Sequence, residues 1–415
     1  MYTLLSILVS IVTFGAVADN DSINNAAAID RAIASCAEQG GGTVVIPEGT
    51  FTTGTIHLQS HVTLRLEKGA VLRGTRHLDA YEPLTTTLDL SKYETGQGTE
   101  NYNNGTDPVW SLAMIKAVGV SDAGIEGEGV IDGADVRNPI GEEHQRGPHA
   151  LLMAGCDNMH FSGITIRRAS NYGILGYTVN NARFSHLCIL GGWDGIHLRG
   201  AKHVTITDCD IHTGDDAVAG GYWEDFTLRR SRLNSSCNGV RMIMPSDGVT
   251  FEDLYVYGPG AFEHITSHRT SSGWAFNIEP GAWGLAPGRL DNIRIRRCHV
   301  KEVLSPLAVT LGEDNSLGTI TIDHLVARDI TRMALSVKSW GKAPTDRVII
   351  RHADMEFRGI DDPALPASFD NKPVSDWAVL PSWGMYFRNV KDLKTHDVKL
   401  SVKGKDYRPD VMVVK

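Results

Sequence analysis

The chain has 415 residues, 42% hydrophobic and 21% charged, a composition too apolar for intrinsic disorder. Its 40 basic and 49 acidic residues give a net charge of −9, and without a Lys/Arg block this excludes a nucleic-acid footprint. The 43 glycines point to many turns, the 16 prolines without a glycine period exclude collagen, and six cysteines are too few for a disulfide framework.

Residues 1–18 carry the apolar run LLSILVSIVTFGAVA and end on the small-x-small triplet Ala16-Val17-Ala18. The run is too short to span a bilayer and reads as a secretory signal peptide, although basic residues are missing ahead of it. A secreted or periplasmic protein, with no membrane attachment after signal removal, is therefore expected, with a mature domain over residues 19–415. Residues 22–39 read as a helix: Ser22 can cap it, and Ile29, Ile33 and Ala37 share one face. Gly40-Gly41-Gly42 stops it. The period then changes to two, with short strands expected at 43–47, 55–58, 62–66 and 70–72. Residues 85–107 are polar and read as a long surface loop.

From Asn158 onward the chain repeats. Phe184, Ile206 and Leu228 fall 22 residues apart, as do Ile189, Ile211 and Leu233, and Ile196, Val218 and Val240. Phe161, Ile166 and Ile174 fit with a one-residue slip, and units near 293–295, 320–322 and 348–350 continue the pattern. Three short strands per unit and no helix pattern predict an all-β solenoid, a single-stranded right-handed parallel β-helix, with residues 22–39 as an N-terminal capping helix. Such a stack buries its core without a partner, so a monomer is expected. Cys209 and Cys298 take the inward position held by Ile164 and Leu187 in other units.

The same step places Tyr172, Asp194, Asp216 and Asn238 in one column, with Asp215 beside it. Stacked carboxylates repel. Aspartate in Gly-Asp-Asp is also a common turn residue, but three in register call for a bound cation or a catalytic purpose. A raised carboxyl pKa suits acid–base hydrolysis of a glycoside, which needs neither metal nor cofactor.

These residues resemble glycoside hydrolase family 28, the polygalacturonases and their bacterial relatives. The resemblance rests on GGGTVVIPEGTFTTGTIHLQSHVTLRLEKGAVLRGT near the start, Ile131-Asp132-Gly133, Gly192-Trp193-Asp194 for the family's N-T-D, and an intact Gly214-Asp215-Asp216. It implies a polysaccharide substrate of the pectin type, Asp215 as general acid, and Asp194 with Asp216 activating water for an inverting attack. Two departures stand out. The family's G-H-G is matched by Cys237-Asn238-Gly239, so Asn238 replaces a histidine and can only hydrogen-bond. The family's R-I-K is matched by Asn277-Ile278-Glu279, where Glu279 would repel a sugar carboxylate. This shifts the expected substrate toward a neutral or differently decorated chain.

Other candidate substrate ligands are His197 and Arg241, in a second outward column, and His264, His268 and Arg269 in the insertion HITSHRTS. The pair His268–Arg269 is favoured over His264. Trp193, Tyr222, Trp223, Trp274 and Trp283 are candidate sugar-stacking aromatics. Asn104 and Asn234 sit in glycosylation motifs. Two alternatives use the same scaffold: a polysaccharide lyase or epimerase, and a carbohydrate-binding β-helix without catalysis.

Overall fold

The computed structural model describes residues 7–94, 103–365 and 379–415. The chain groups into two compact units, Met1–Asp210 and Ile211–Lys415. Repeat arrays make contacts only between neighbouring repeats and subdivide readily.

In the first unit, strands recur in three runs of parallel pairing. One run passes from Gly42–Ile46 to Val62–Leu66, Ser121–Gly127, His149–Ser162, Arg183–Ser185 and Ile196–Thr207. A second passes from Gly49–Thr53 to Ala70–Gly74, Val130–Asp132, Thr165–Arg167 and Cys188–Leu190. The third links Ile56–His57, Ala113–Val118, His149–Ser162, Ile174–Asn180 and Ile196–Thr207. This is the pairing of a parallel β-helix. The expected anchors meet in register, Phe184 beside Ile206 and Ile174 beside Ile196. The rings of Phe161 and Phe184 stack at 5.0 Å in the core, and burying each such side chain contributes roughly 1.5–3 kcal/mol.

The second unit repeats the scheme. One run passes from Val218–Arg229 through Asp247–Glu252, Ile293–Lys301, Thr319–Ile330 and Thr345–Arg358 to Val390–Lys403. Another passes from Val240–Met242 through Trp274–Ile278, Ser305–Leu311, Leu335–Ser339 and Met385–Arg388 to Val411–Val414. Ile295, Ile322 and Ile350 stack as the repeat requires. The step from Val240 to Phe276 is longer because residues 258–273 are inserted. At one coil corner of this unit Arg230, Asp253, Arg297, His324, His352 and Asp397 all adopt φ between 46° and 54°. The pairings on either side bring them into one column, so each chain turns the corner through a left-handed residue.

Helix α1 covers Ala26–Glu38 and buries Ala28, Ile29, Ala32, Ile33 and Cys36. It begins four residues later than expected. Ser22 does not cap it, because its hydroxyl donates to the Asn20 side chain at 2.6 Å. The cap position belongs to Asn25, whose amide donates to the Thr52 carbonyl and accepts from the Val17 amide. Cys36, not Ala37, completes the buried face, since it follows Ala32 and Ile33 by four and three residues. Part of the apolar N-terminal run also packs: β1, Ile7–Ser10, pairs in parallel with β2, Gly42–Ile46, and Ile11 is fully buried. Residues 1–6 and 95–102, parts of the expected signal and of the expected 85–107 loop, lie outside the described residues.

Candidate active site

In the first unit Asp194 lies in the turn before strand Ile196–Thr207, and both it and His197 are buried. His197 was expected to face outward as a substrate ligand. Instead its Nδ1 lies 2.6 Å from Asp194 Oδ2, and its Nε2 accepts from Arg199 Nε at 3.1 Å. A guanidinium only donates, so Nε2 carries no proton, and Nδ1–H must be the donor to Asp194. Arg199, 1% exposed, also donates to the carbonyls of Tyr93 and Asn103 and to the Asn103 side chain. Tyr172, one coil earlier in the expected column, stacks flat on His197 at 4.8 Å. Arg146 lies over Trp193 at 3.7 Å, which takes that tryptophan out of the pool of sugar-stacking aromatics. Nothing in residue spacing announced this Asp–His–Arg chain beyond the three-residue step from Asp194 to His197. Nearby, the fully buried His149 is pushed down to about 3 by desolvation. Asp132 of Ile131-Asp132-Gly133 is held below its usual range although burial opposes this, because Arg168 and Arg167 bind it.

In the second unit Asp215 and Asp216 lie in the turn before strand Val218–Arg229. The hydroxyls of Thr213 and Ser235 donate to the Asp215 carbonyl and fix that turn. Asp216 Oδ1 accepts from the Asn238 side chain at 2.6 Å and its backbone N–H at 3.2 Å, as the predicted column requires. Arg241 Nη1 stands 3.9 Å from Asp216 Oδ2. Carboxylate oxygens of Asp215 and Asp216 and Cys237 Sγ all lie within 4.8 Å of one another. Burial, then the Asp215 charge, push Asp216 up to about 6, against the opposing pull of Arg241 and the hydrogen bonds of Asn238 and Cys237. Asp215 is the more exposed of the two, at 15% of its side chain against 7%.

The insertion contributes a different histidine from the one expected. His264 Nδ1 accepts from Ser267 N–H, and its Nε2 stands 3.8 Å from Asp215 Oδ2. His268 is exposed and turns to Glu263. Arg269 donates to the Ser236 carbonyl and the Ser267 hydroxyl, tying the insertion to the coil. The reason is chain direction: His268 occupies a left-handed corner at φ 54° that carries it away from the coil.

Asn277 follows Arg241 by one coil, and its amide approaches Asn238 Oδ1 at 3.5 Å. Glu279 is 5% exposed, and its charge helps hold the Arg241 guanidinium in the charged form. Asn277 Oδ1 and Arg241 Nε are buried without a hydrogen-bond partner. Among the aromatic candidates, Trp223 and Trp274 are buried and Tyr222 packs on Ile243 and Met244. Trp283 is 39% exposed, with Arg241 over its ring at 5.2 Å. Asn234 is no surface acceptor for glycan, because it is 1% exposed and its side chain bonds Tyr257, Pro259 and Ala261.

Among the described residues, two clusters have donors for a cation. In Asp215–Asp216–Cys237 the thiol is driven well above its usual range by burial and then by both carboxylates, so it resists becoming the thiolate that a metal needs. The other, Asp323–His324–His352, lies on the outer surface. All six cysteines are free thiols.

Residues 36–225 match the model of glycosyl hydrolases family 28. Over that stretch, a little under half of its length, the chain is similar to that family. It is 25% identical to a probable polygalacturonase of Vitis vinifera over 53% of its length, but spans only 45% of that relative. An endo-polygalacturonase of Pectobacterium carotovorum subsp. carotovorum is 22% identical over 76% of the chain and 80% of its own length. The fold matches the family 28 exopolygalacturonase of Yersinia enterocolitica with a TM-score of 0.68 and 16% identity, covering 99% of this chain and 78% of that one. The family 28 match contains Asp194, Asp215 and Asp216 and ends before Asn238 and the stretch Asn277–Glu279.

Proposed function

We propose that the protein is a secreted glycoside hydrolase that cleaves a pectin-related polysaccharide with inversion. The observation that carries the reading is the Asp215–Asp216 pair: two crowded carboxyls that between them keep a proton up to about pH 6, with Asp215 the more exposed. Asp215, the more exposed of the two, delivers the proton that the pair shares to the leaving glycosidic oxygen as the bond to the anomeric carbon breaks, and Asp216 is left ionised. A water oxygen attacks that carbon from the opposite face, and its proton passes to the ionised Asp216. His264 faces Asp215 and takes the supporting place that the family gives to the histidine replaced by Asn238. His197 and Arg199 hold Asp194 in orientation. The coils wind right-handed in this proposal, and α1, packed on the first strands, closes the stack.

The test is incubation with pectic polysaccharides, with products analysed for mass and for anomeric configuration before mutarotation. An inverted hemiacetal is expected, with Asp215→Asn about 10²–10⁴-fold slower and still folded. Retained configuration, an unsaturated product absorbing in the ultraviolet, or full activity in that variant overturns the proposal.

A further inference from the structure

Beyond Glu279 the second unit opens a cavity of about 320 Å³, lined by Glu279, Thr310, Glu313, Asp314, Asn315 and the chain segments 280–282 and 284–286. That volume is at the lower end for small-ligand clefts, about 300–1,000 Å³. Its lining contains three carboxylates and no Lys, Arg or His among the described residues. A second, independent feature marks the same place. Thr310 is 2% exposed and its hydroxyl meets no hydrogen-bond partner. A buried hydroxyl left this way has lost its hydration without a replacement, so it stands as an unmet demand for a ligand group. Asn315, by contrast, spends its amide on the Ala286 and Gly288 carbonyls and holds the cavity wall.

We propose that this cavity is a subsite for an uncharged sugar residue, bound by its hydroxyl groups. This rests on the glycosidase reading and adds the class of substrate. Carboxylates accept hydrogen bonds and repel carboxylates, so Glu279, Glu313 and Asp314 bind sugar hydroxyls and reject a uronate. Thr310 supplies the remaining donor and acceptor. Arg241 does not reverse the sign, because its charge is already shared by Asp216 and Glu279. Lys338, one coil beyond Thr310, is buried and absent from the cavity lining.

The experiment measures binding rather than turnover, on the full chain carrying Asp215→Asn. The probes are an α-1,4-linked oligogalacturonate and the same oligosaccharide with its carboxyl groups reduced to hydroxymethyl. The reduced probe should bind at least tenfold tighter. Thr310→Val should weaken it about fivefold or more while leaving thermal stability equal or higher, since the hydroxyl has no partner to lose. Glu279→Lys should reverse the preference between probes. Equal or tighter binding of the oligogalacturonate, binding of it that Lys338→Met abolishes, no binding of the reduced probe, or a Thr310→Val variant with unchanged affinity overturns the subsite. Failure of hydrolysis with this binding pattern intact would instead count against the catalytic reading alone.

Discussion

Asp194 and Asp216 are both buried aspartates in the turn before a strand, yet their surroundings differ. Asp194 receives a proton donor from His197, which is itself locked by Arg199, and that guanidinium is anchored on backbone carbonyls. Every step of that chain has one donor and one acceptor, so the imidazole has a single tautomer. Asp216 instead faces a second carboxylate, and two neutral donors with a distant arginine do not offset its burial. The first environment fixes an orientation; the second holds a proton. Surroundings, more than residue type, set what a carboxyl can do.

The largest expected effect tests the crowded pair. Asp216→Asn should cut turnover about 10²–10⁴-fold. It should also stabilise the fold at neutral pH by about 1–3 kcal/mol, because a raised carboxyl pKa penalises the folded state once the group ionises. The sign follows from the proton: the native state keeps it between about pH 4 and pH 6 while the unfolded chain releases it. The gain of the variant should therefore be full above about pH 6 and vanish below about pH 4, as urea titrations at several pH values would reveal. A variant no more stable at high pH than at low pH would mean that the pair is not strained.

Next comes the orienting chain. Arg199→Met should destabilise the protein by about 2–4 kcal/mol, leaving His197 Nε2 and two carbonyls without their donor. If denaturant titration shows no loss, the guanidinium is not the anchor described. The smallest effect belongs to His264→Gln, expected to lower kcat about tenfold with KM little changed and the fold intact. A change in KM alone would make His264 a substrate ligand instead of a support for Asp215.

Much of this could be read along the chain, because a solenoid turns one-dimensional spacing into lateral contact. The 22-residue step from Phe184 to Ile206 and the column from Asp216 to Asn238 both follow from counting. What counting missed lies in segments that leave the coil. His264 approaches Asp215 from an insertion whose path has no period, and His268, four residues on, points into solvent. Side-chain reach also escaped it: Arg199 finds Tyr93 and Asn103 about a hundred residues away in sequence. The helix start moved from Ser22 to Ala26 because Asn20 competes for the serine hydroxyl, a local contest that helical periodicity does not register.

The column of left-handed corners has a consequence for durability. Arg230, Arg297, His324 and His352 each hold a backbone conformation that a side chain bearing Cβ resists. Glycine or asparagine would adopt it with less strain. Because such corners recur coil after coil, small gains can be added one at a time. The protein thus holds a reserve of heat tolerance in its bends, open to engineering without touching the packed interior or the chemistry.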